Sequence, residues 1–233
     1  MKCILMNKNT KVLSADYQPS LGVFTDIYDI YNIDFAPVIL KNVYNKEKDL
    51  KIILSNWFKG RGIPLWRDDL DLLLSKLNIS APTELLDKAF GLSLSDQYWI
   101  KPYDSKIEYK DINFFEHDFN DAEFTDATFS NSTETSTKIS LISPNNTTDG
   151  RLKKTWIIEE GKRYLLKGSY KNEVLQPFNE ALASMISSRL GFNHVTYILE
   201  VIKDKVVSKC ECFINENTEL VSAYQILYNN CDN

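Results

Sequence analysis

The order of elements expected between residues 154 and 214 restricts the fold more than any other feature. Lys154–Glu159 and Arg163–Lys167 are two β-prone runs around Glu160-Gly161, a pair suited to a tight hairpin turn. A helix is expected next, with Pro177 in its first turn, apolar Phe178, Ala181, Leu182, Met185, Ile186 and Leu190 along it, and Gly191 directly after. Two more β-runs follow, His194–Ile202 and Val206–Ile214, joined by the polar Lys203-Asp204-Lys205. Strand–strand–helix–strand–strand in this order predicts an antiparallel sheet packed on one helix, and with the helices upstream the fold class is α+β.

The first part of the chain reads differently. Short apolar groups from Lys11 to Leu40, broken by Pro19, Gly22 and Pro37, suggest short strands and turns. Helices are expected over Lys46–Phe58, where Leu50, Ile53, Leu54 and Trp57 recur at helical spacing before Gly60, over Asp68–Asn78, and over Pro82–Phe90, closed by Gly91. From Gly91 to Ser143 the chain is aromatic and acidic, and Ser130–Thr137 has the composition of a linker. A boundary near Thr135 would separate a helix-rich mixed domain, residues 1–135, from a second domain, residues 136–233.

Composition excludes several classes. The 233 residues are 43% hydrophobic, with 12 Phe, 12 Tyr and 4 Trp, far more apolar matter than a disordered tail carries. Lys+Arg 27 against Asp+Glu 32 leaves a net charge of −5, which disfavours a long grip on a phosphate backbone and makes nucleic acid an unlikely partner. Cys3, Cys210, Cys212 and Cys231 form no C-x-x-C, so neither a zinc ribbon nor a disulfide framework is indicated and a cytosolic setting is expected. No run of about 18 apolar residues occurs, so no membrane span is expected.

Familiar catalytic motifs are missing: there is no H-E-x-x-H, G-x-S-x-G, Walker A or G-x-G-x-x-G. Of the two histidines, His194 at the start of a β-run reads as structural, and His117-Asp118-Phe119-Asn120-Asp121 reads as an acidic turn. The second domain is more informative. A hairpin ending in Lys167, then a helix bearing Glu180, then two strands, is the layout of a protein-kinase small lobe, where a strand lysine grips phosphates and a helix glutamate holds that lysine. Upstream, Asn145-Asn146-Thr147-Thr148-Asp149-Gly150 is the candidate loop over the phosphates, because Gly150 and small polar neighbours let N–H groups turn toward an anion. The competing reading makes Lys167 a solvated strand end and Glu180 part of the wet face of an amphipathic helix.

Several segments resemble bacterial HipA-like serine/threonine kinases: Gly91-Leu-Ser-Leu-Ser-Asp-Gln-Tyr-Trp99 with Ile100-Lys101-Pro102, Asp111–Phe115, Ser143-Pro144 through Asp149-Gly150 with Lys153-Lys154 and Trp156, Leu166-Lys167-Gly168, and Pro177-Phe-Asn-Glu180. The resemblance runs from about Trp57 to Ala223 and covers the N-terminal two-thirds of such kinases; its most distinctive stretch is Gly91–Pro102. It implies that Lys167 contacts ATP phosphates, that Glu180 pairs with it, that Thr148, Asp149 and Gly150 lie at the phosphates, and that Cys212-Phe213-Ile214 is the hinge whose backbone holds the adenine. It implies no catalytic or metal-binding residue in this sequence, since the catalytic aspartate and the Asn and Asp that hold Mg²⁺ belong to a helical C-lobe beyond Asn233.

The expected function is therefore the N-terminal, nucleotide-binding portion of such a kinase, inactive alone and completed by a C-lobe in trans. The alternative is a non-catalytic interaction module or inhibitor derived from one. Either way a protein partner or self-association is expected, through an apolar face near Phe213, Ile214, Val221, Tyr224, Ile226 and Leu227. Trp57, Phe58, Trp66 and Trp99 read as core rather than an exposed partner site, Arg61 and Arg67 as solvated arginines of a capped turn rather than contacts to an acidic partner, and Glu116–Asp126 as a solvated face.

Overall fold

The computed structural model describes residues 1–46, 48–119, 121–130, 141–170 and 175–228. Its elements are β1 (Lys2–Asn7), β2 (Thr10–Gln18), β3 (Val23–Ile30), α1 (Val38–Val43), α2 (Leu50–Lys59), α3 (Leu70–Leu77), α4 (Pro82–Lys88), β4 (Tyr98–Pro102), α5 (Ala122–Phe129), β5 (Lys154–Glu159), β6 (Lys162–Lys167), α6 (Leu175–Arg189), β7 (Ile198–Ile202), β8 (Lys205–Glu211) and α7 (Ala223–Leu227). The fold is α+β, with two four-stranded antiparallel sheets of order β3-β2-β1-β4 and β5-β6-β8-β7. Among the described residues no helix is long and apolar enough to cross a membrane.

The chain divides into two compact units, and each is stitched from separate segments. One comprises Met1–Gly62, Thr83–His117 and Ile214–Asn233; the other comprises Ile63–Pro82 and Asp118–Phe213. Thr135, where the sequence suggests a boundary, lies outside the described residues. The division nevertheless differs from a single cut in residues 63–82, which belong with the second sheet, and in residues 214–233, which belong with the first. The apolar stripe of α3 is the physical reason for the first difference: Leu70, Leu73, Leu74 and Leu77 are all buried, and the helix packs on α5.

In the first unit β1 is an interior strand that sequence reading passes over. Cys3, Ile4, Leu5 and Met6 are buried in succession, so the alternation that marks a half-buried strand is absent. The core gathers Leu5, Leu13, Tyr17 and Phe24 from the sheet against Leu54, Trp57 and Phe58 of α2. α2 starts at Leu50 rather than Lys46, because the Asp49 carboxylate accepts the Lys51 N–H at 2.9 Å. Trp57, Phe58 and Trp99 are core as expected. Gly91 adopts φ +68°, and a Cβ there would stand 2.4 Å from the Phe58 ring, so both the backbone and the space demand glycine. Arg61 is a correction: it is buried, donates to both Asp96 carboxylate oxygens and to the Gly91 and Tyr98 carbonyls, and stacks on Trp57.

In the second unit both hairpins turn on two left-handed residues, Glu160 (φ 48°) with Gly161 (φ 78°), and Lys203 (φ 50°) with Asp204 (φ 62°). These turns place Lys154 opposite Lys167 and Ser208 opposite Leu199, and the pairing of β6 with β8 places Lys167 opposite Ser208. Opposed residues share a face, so these four form one row across all four strands. The alternate face carries Ile157, Leu166 and Val207, which pack against Phe129 of α5. That helix is absent from the sequence reading, which treats the acidic stretch as solvated. Its flank is partly structural: Asp121 accepts the Ile158 N–H at 2.6 Å and Asp118 pairs with Arg163 at 3.3 Å.

Trp66, expected in the core, is 69% exposed. A larger departure lies in α6, where Pro177 and Ser184 are the buried residues while Phe178, Leu182, Met185, Ile186 and Leu190 are exposed. Polar groups carry the contact to the sheet instead.

Candidate functional site

Lys167 ends β6, and its ammonium donates to Glu180 Oε1 of α6 at 2.9 Å and to the Tyr197 hydroxyl at 2.6 Å. The other Glu180 oxygen accepts the hydroxyl of Ser208, the buried β8 residue opposite Lys167. One helical turn on, Ser184 accepts the Tyr197 N–H at 3.1 Å. Glu180 and Ser184 thus stand at i and i+4 on the sheet-facing side of α6. Burial pulls the Lys167 pKa down, but the hydrogen bonds with Glu180 and Tyr197 outweigh it and the lysine ends above its usual value. The solvated reading of this pair is thereby overturned. Among the described residues the ammonium makes two hydrogen bonds, leaving one N–H for a phosphate oxygen.

The loop before β5 begins with a 3₁₀ turn, Pro144–Thr147, capped by Ser143, which accepts the Asn145 N–H. Asn145 and Asn146 are fully buried, and the Asn145 amide pairs with the Trp156 backbone on both sides, serving the edge of the sheet. These two residues are structural. Thr148, Asp149 and Gly150 lie further out, held by Arg67. Its guanidinium donates to the Gly150 carbonyl at 3.0 Å, to the Thr148 hydroxyl at 2.8 Å and to the Thr148 carbonyl. Arg67, expected in solvent, is buried, and that burial pushes its pKa down to about 10, with Asp149 pulling the other way. Asp68 and Asp69 extend the brace by pairing with Arg151 at 3.5 Å and Lys153 at 2.6 Å. The Gly150 N–H is taken by its neighbour's Asp149 carboxylate at 2.5 Å, so an anion at this amide must displace that carboxylate.

Phe213 follows β8 and is exposed; with Asn193, His194, Val195, Thr196, Glu211 and Cys212 it lines an open cleft of about 600 Å³. Tyr197, the next residue after that lining, reaches Lys167, so a single segment serves both cleft and lysine. The Cys212 N–H donates to the Arg163 carbonyl at 2.7 Å. His194 bonds the Phe192 carbonyl and Ser188, a structural role. Among the described residues no three His, Cys, Asp or Glu side chains are placed to hold a metal ion.

Lys167 with Glu180, and Thr148 with Asp149 and Gly150, therefore form two local groups, while Phe213 lies on the cleft. Sequence reading missed Arg67, Tyr197 and Ser208 as parts of the site and assigned Lys154 no role of its own. Lys154 was within reach of it, since the Glu160-Gly161 turn sets the β5–β6 register; Ser208 was not, because it meets Lys167 through the pairing of β6 with β8, which no turn connects. Arg67 carried no local signal, being 81 residues from Thr148.

No protein-family model matches this sequence, and no curated protein matches it. Among solved structures, HipA from the Shewanella oneidensis MR-1 toxin–antitoxin system, in its complex with HipB and operator DNA, is similar with a TM-score of 0.52 and 15% identity. The likeness covers 91% of this chain and 50% of that one, so the chain spans half the length of this neighbour. What the two share is a fold, and the α+β fold described above is HipA-like.

Proposed function

We propose that this chain is the N-terminal, nucleotide-binding portion of a HipA-like protein serine/threonine kinase, gripping ATP phosphates through Lys167. The carrying observation is the network in which Glu180 joins Lys167 of β6 to Ser208 of β8 from the polar side of α6. Phosphoryl transfer further needs a base for the substrate hydroxyl and ligands for Mg²⁺, which in this reading come from a helical C-lobe. The fit to ATP is one of anion to cation: among the described residues Lys167 makes two hydrogen bonds and keeps a third N–H, and the exposed Phe213 flanks a cleft of a size that accepts a base.

A second reading, an interaction module without chemistry, is favoured by the exposed apolar side of α6. The solved HipA stands in a complex with HipB and operator DNA. We keep a protein partner in the proposal on that basis, and the charge argument against nucleic acid finds no support in such an assembly.

Thermal unfolding titrated with Mg-ATP tests the reading, since a ligand that binds only the native state stabilises by RT ln(1 + [L]/Kd). A concentration-dependent rise in melting temperature, lost in Lys167→Ala, is the expected outcome. No shift up to millimolar nucleotide would give the interaction module precedence.

A further inference from the structure

Two polar atoms of the second unit are buried side by side with no protein partner. Asp68 Oδ2 and the Thr128 hydroxyl oxygen are both shut off from solvent, and neither takes part in a hydrogen bond. Both residues line one small cavity of about 10 Å³, bordered by the segment that enters α3 and the last turn of α5. Thr128 is only 6% exposed, and its hydroxyl does not turn back to a carbonyl of its own helix, the usual recourse of a threonine in a helix. Asp68 is held from its other side: its N–H donates to the Arg151 carbonyl at 3.1 Å, and its Oδ1 meets Arg151 Nε at 3.5 Å. A carboxylate oxygen accepts and a hydroxyl donates, so the two atoms are complementary, yet they make no direct bond.

Leaving both unpaired away from water costs free energy that the Leu73 and Ala127 walls of the cavity cannot return. Size and charge limit what can join them. A volume of about 10 Å³ takes one water molecule and no polyatomic anion. Arg67, Lys153 and Lys154 also border the cavity, three positive charges against those of Asp68 and Asp69, so a metal cation is disfavoured. We infer that this cavity is the binding site of a single buried water, which donates to Asp68 Oδ2 and accepts from the Thr128 hydroxyl.

The water is a polar link between α5 and the segment Arg67–Asp69. That segment carries the guanidinium bonded to Thr148 and Gly150, and the Asp69 carboxylate that pairs with Lys153 at 2.6 Å. α5 in turn packs on the second sheet through Phe129. Through the water, Thr128 is a positioning residue for the brace that holds the loop. The inference stands apart from nucleotide binding, because it uses neither Lys167 nor Glu180.

A crystal structure of the 233-residue chain locates the water, and oxygen-17 relaxation dispersion in solution counts the water molecules held inside the protein. Electron density for one water within about 3.2 Å of both Asp68 Oδ2 and Thr128 Oγ1 is expected. Thr128→Val keeps the shape and removes the hydroxyl, so it should lower the count by one long-lived water, whereas Thr128→Ser should keep it. Amide hydrogen exchange supplies the positioning readout. The Asp68 N–H should exchange about fivefold faster in Thr128→Val than in wild type or Thr128→Ser, the factor that one lost net hydrogen bond implies. Unchanged exchange in the valine variant would remove the positioning role. A direct hydrogen bond between Asp68 and Thr128, an ion with oxygen contacts near about 2.4 Å, or a water count that Thr128→Val leaves unaltered would overturn the site itself. Should Thr128→Val fail to fold, the density in the wild-type cavity decides alone.

Discussion

The Tyr17 hydroxyl donates to the Asp87 carboxylate at 2.5 Å inside the first unit. Burial pushes the Asp87 carboxyl up to about 6, although the Tyr17 hydrogen bond pulls the other way. The folded chain then binds this proton more tightly than the unfolded chain does, so the group's cost is absent at acid pH and grows as pH rises from about 4 to about 6. Asp87→Asn, which retains an acceptor for Tyr17, should gain about 1–2 kcal/mol relative to wild type at pH 7 and nothing at pH 4. Urea unfolding at the two pH values measures it. Arg61 behaves in the opposite sense. Its guanidinium satisfies Asp96 and two carbonyls away from water, so Arg61→Ala should cost about 3–5 kcal/mol, read from the same unfolding curves. Neither residue was recognisable in the sequence, where an arginine or aspartate between apolar neighbours looks the same whether its partner is water or a carbonyl 30 residues away.

At the scale of elements, local chemistry was legible where it acts within a few residues. Glu160-Gly161 and Lys203-Asp204 mark their hairpins, Asp49 sets the start of α2, and Gly91 ends the segment after α4. Glu160 occupies a left-handed position at φ 48° that suits asparagine better than glutamate, so Glu160→Asn should stabilise the second unit by about 0.5–1 kcal/mol, and Gly161→Val should cost more than that. Thermal melts of the two variants decide. Elements without local signals were missed: β1 because it is buried on both faces, and α5 because its acidic residues mask the buried Phe124 and Phe129. The apolar residues of α6 were legible as a helix, but their direction was not. A stripe of Phe178, Leu182 and Ile186 says that one side of a helix avoids water, and cannot say whether the sheet or another surface covers it.

For the molecule as a whole, that uncovered stripe carries the prediction. Leu182 and Met185 are 54% and 60% exposed on α6, and contiguous apolar surface of this kind favours association. Light scattering should show the 233-residue chain self-associating with rising concentration, and Leu182→Glu with Met185→Glu should return it to a monomer without lowering its melting temperature. A clean wild-type monomer at high concentration would count against it. Tyr224, Ile226 and Leu227, which the sequence places in an apolar face near Phe213, are exposed on α7 and belong to the other compact unit. Sequence alone determined the α+β class and both hairpins of the second sheet, since turn residues and periodicity act locally; Lys167 and Glu180 were singled out by the order of elements and by resemblance, not by periodicity. The tertiary structure decided that Glu180 rather than the apolar stripe of α6 faces the sheet, that Arg67 braces the loop at Thr148–Gly150, and that the two units interleave along the chain. Each of these depends on which surface buries against which, and burial is settled by partners far apart in sequence.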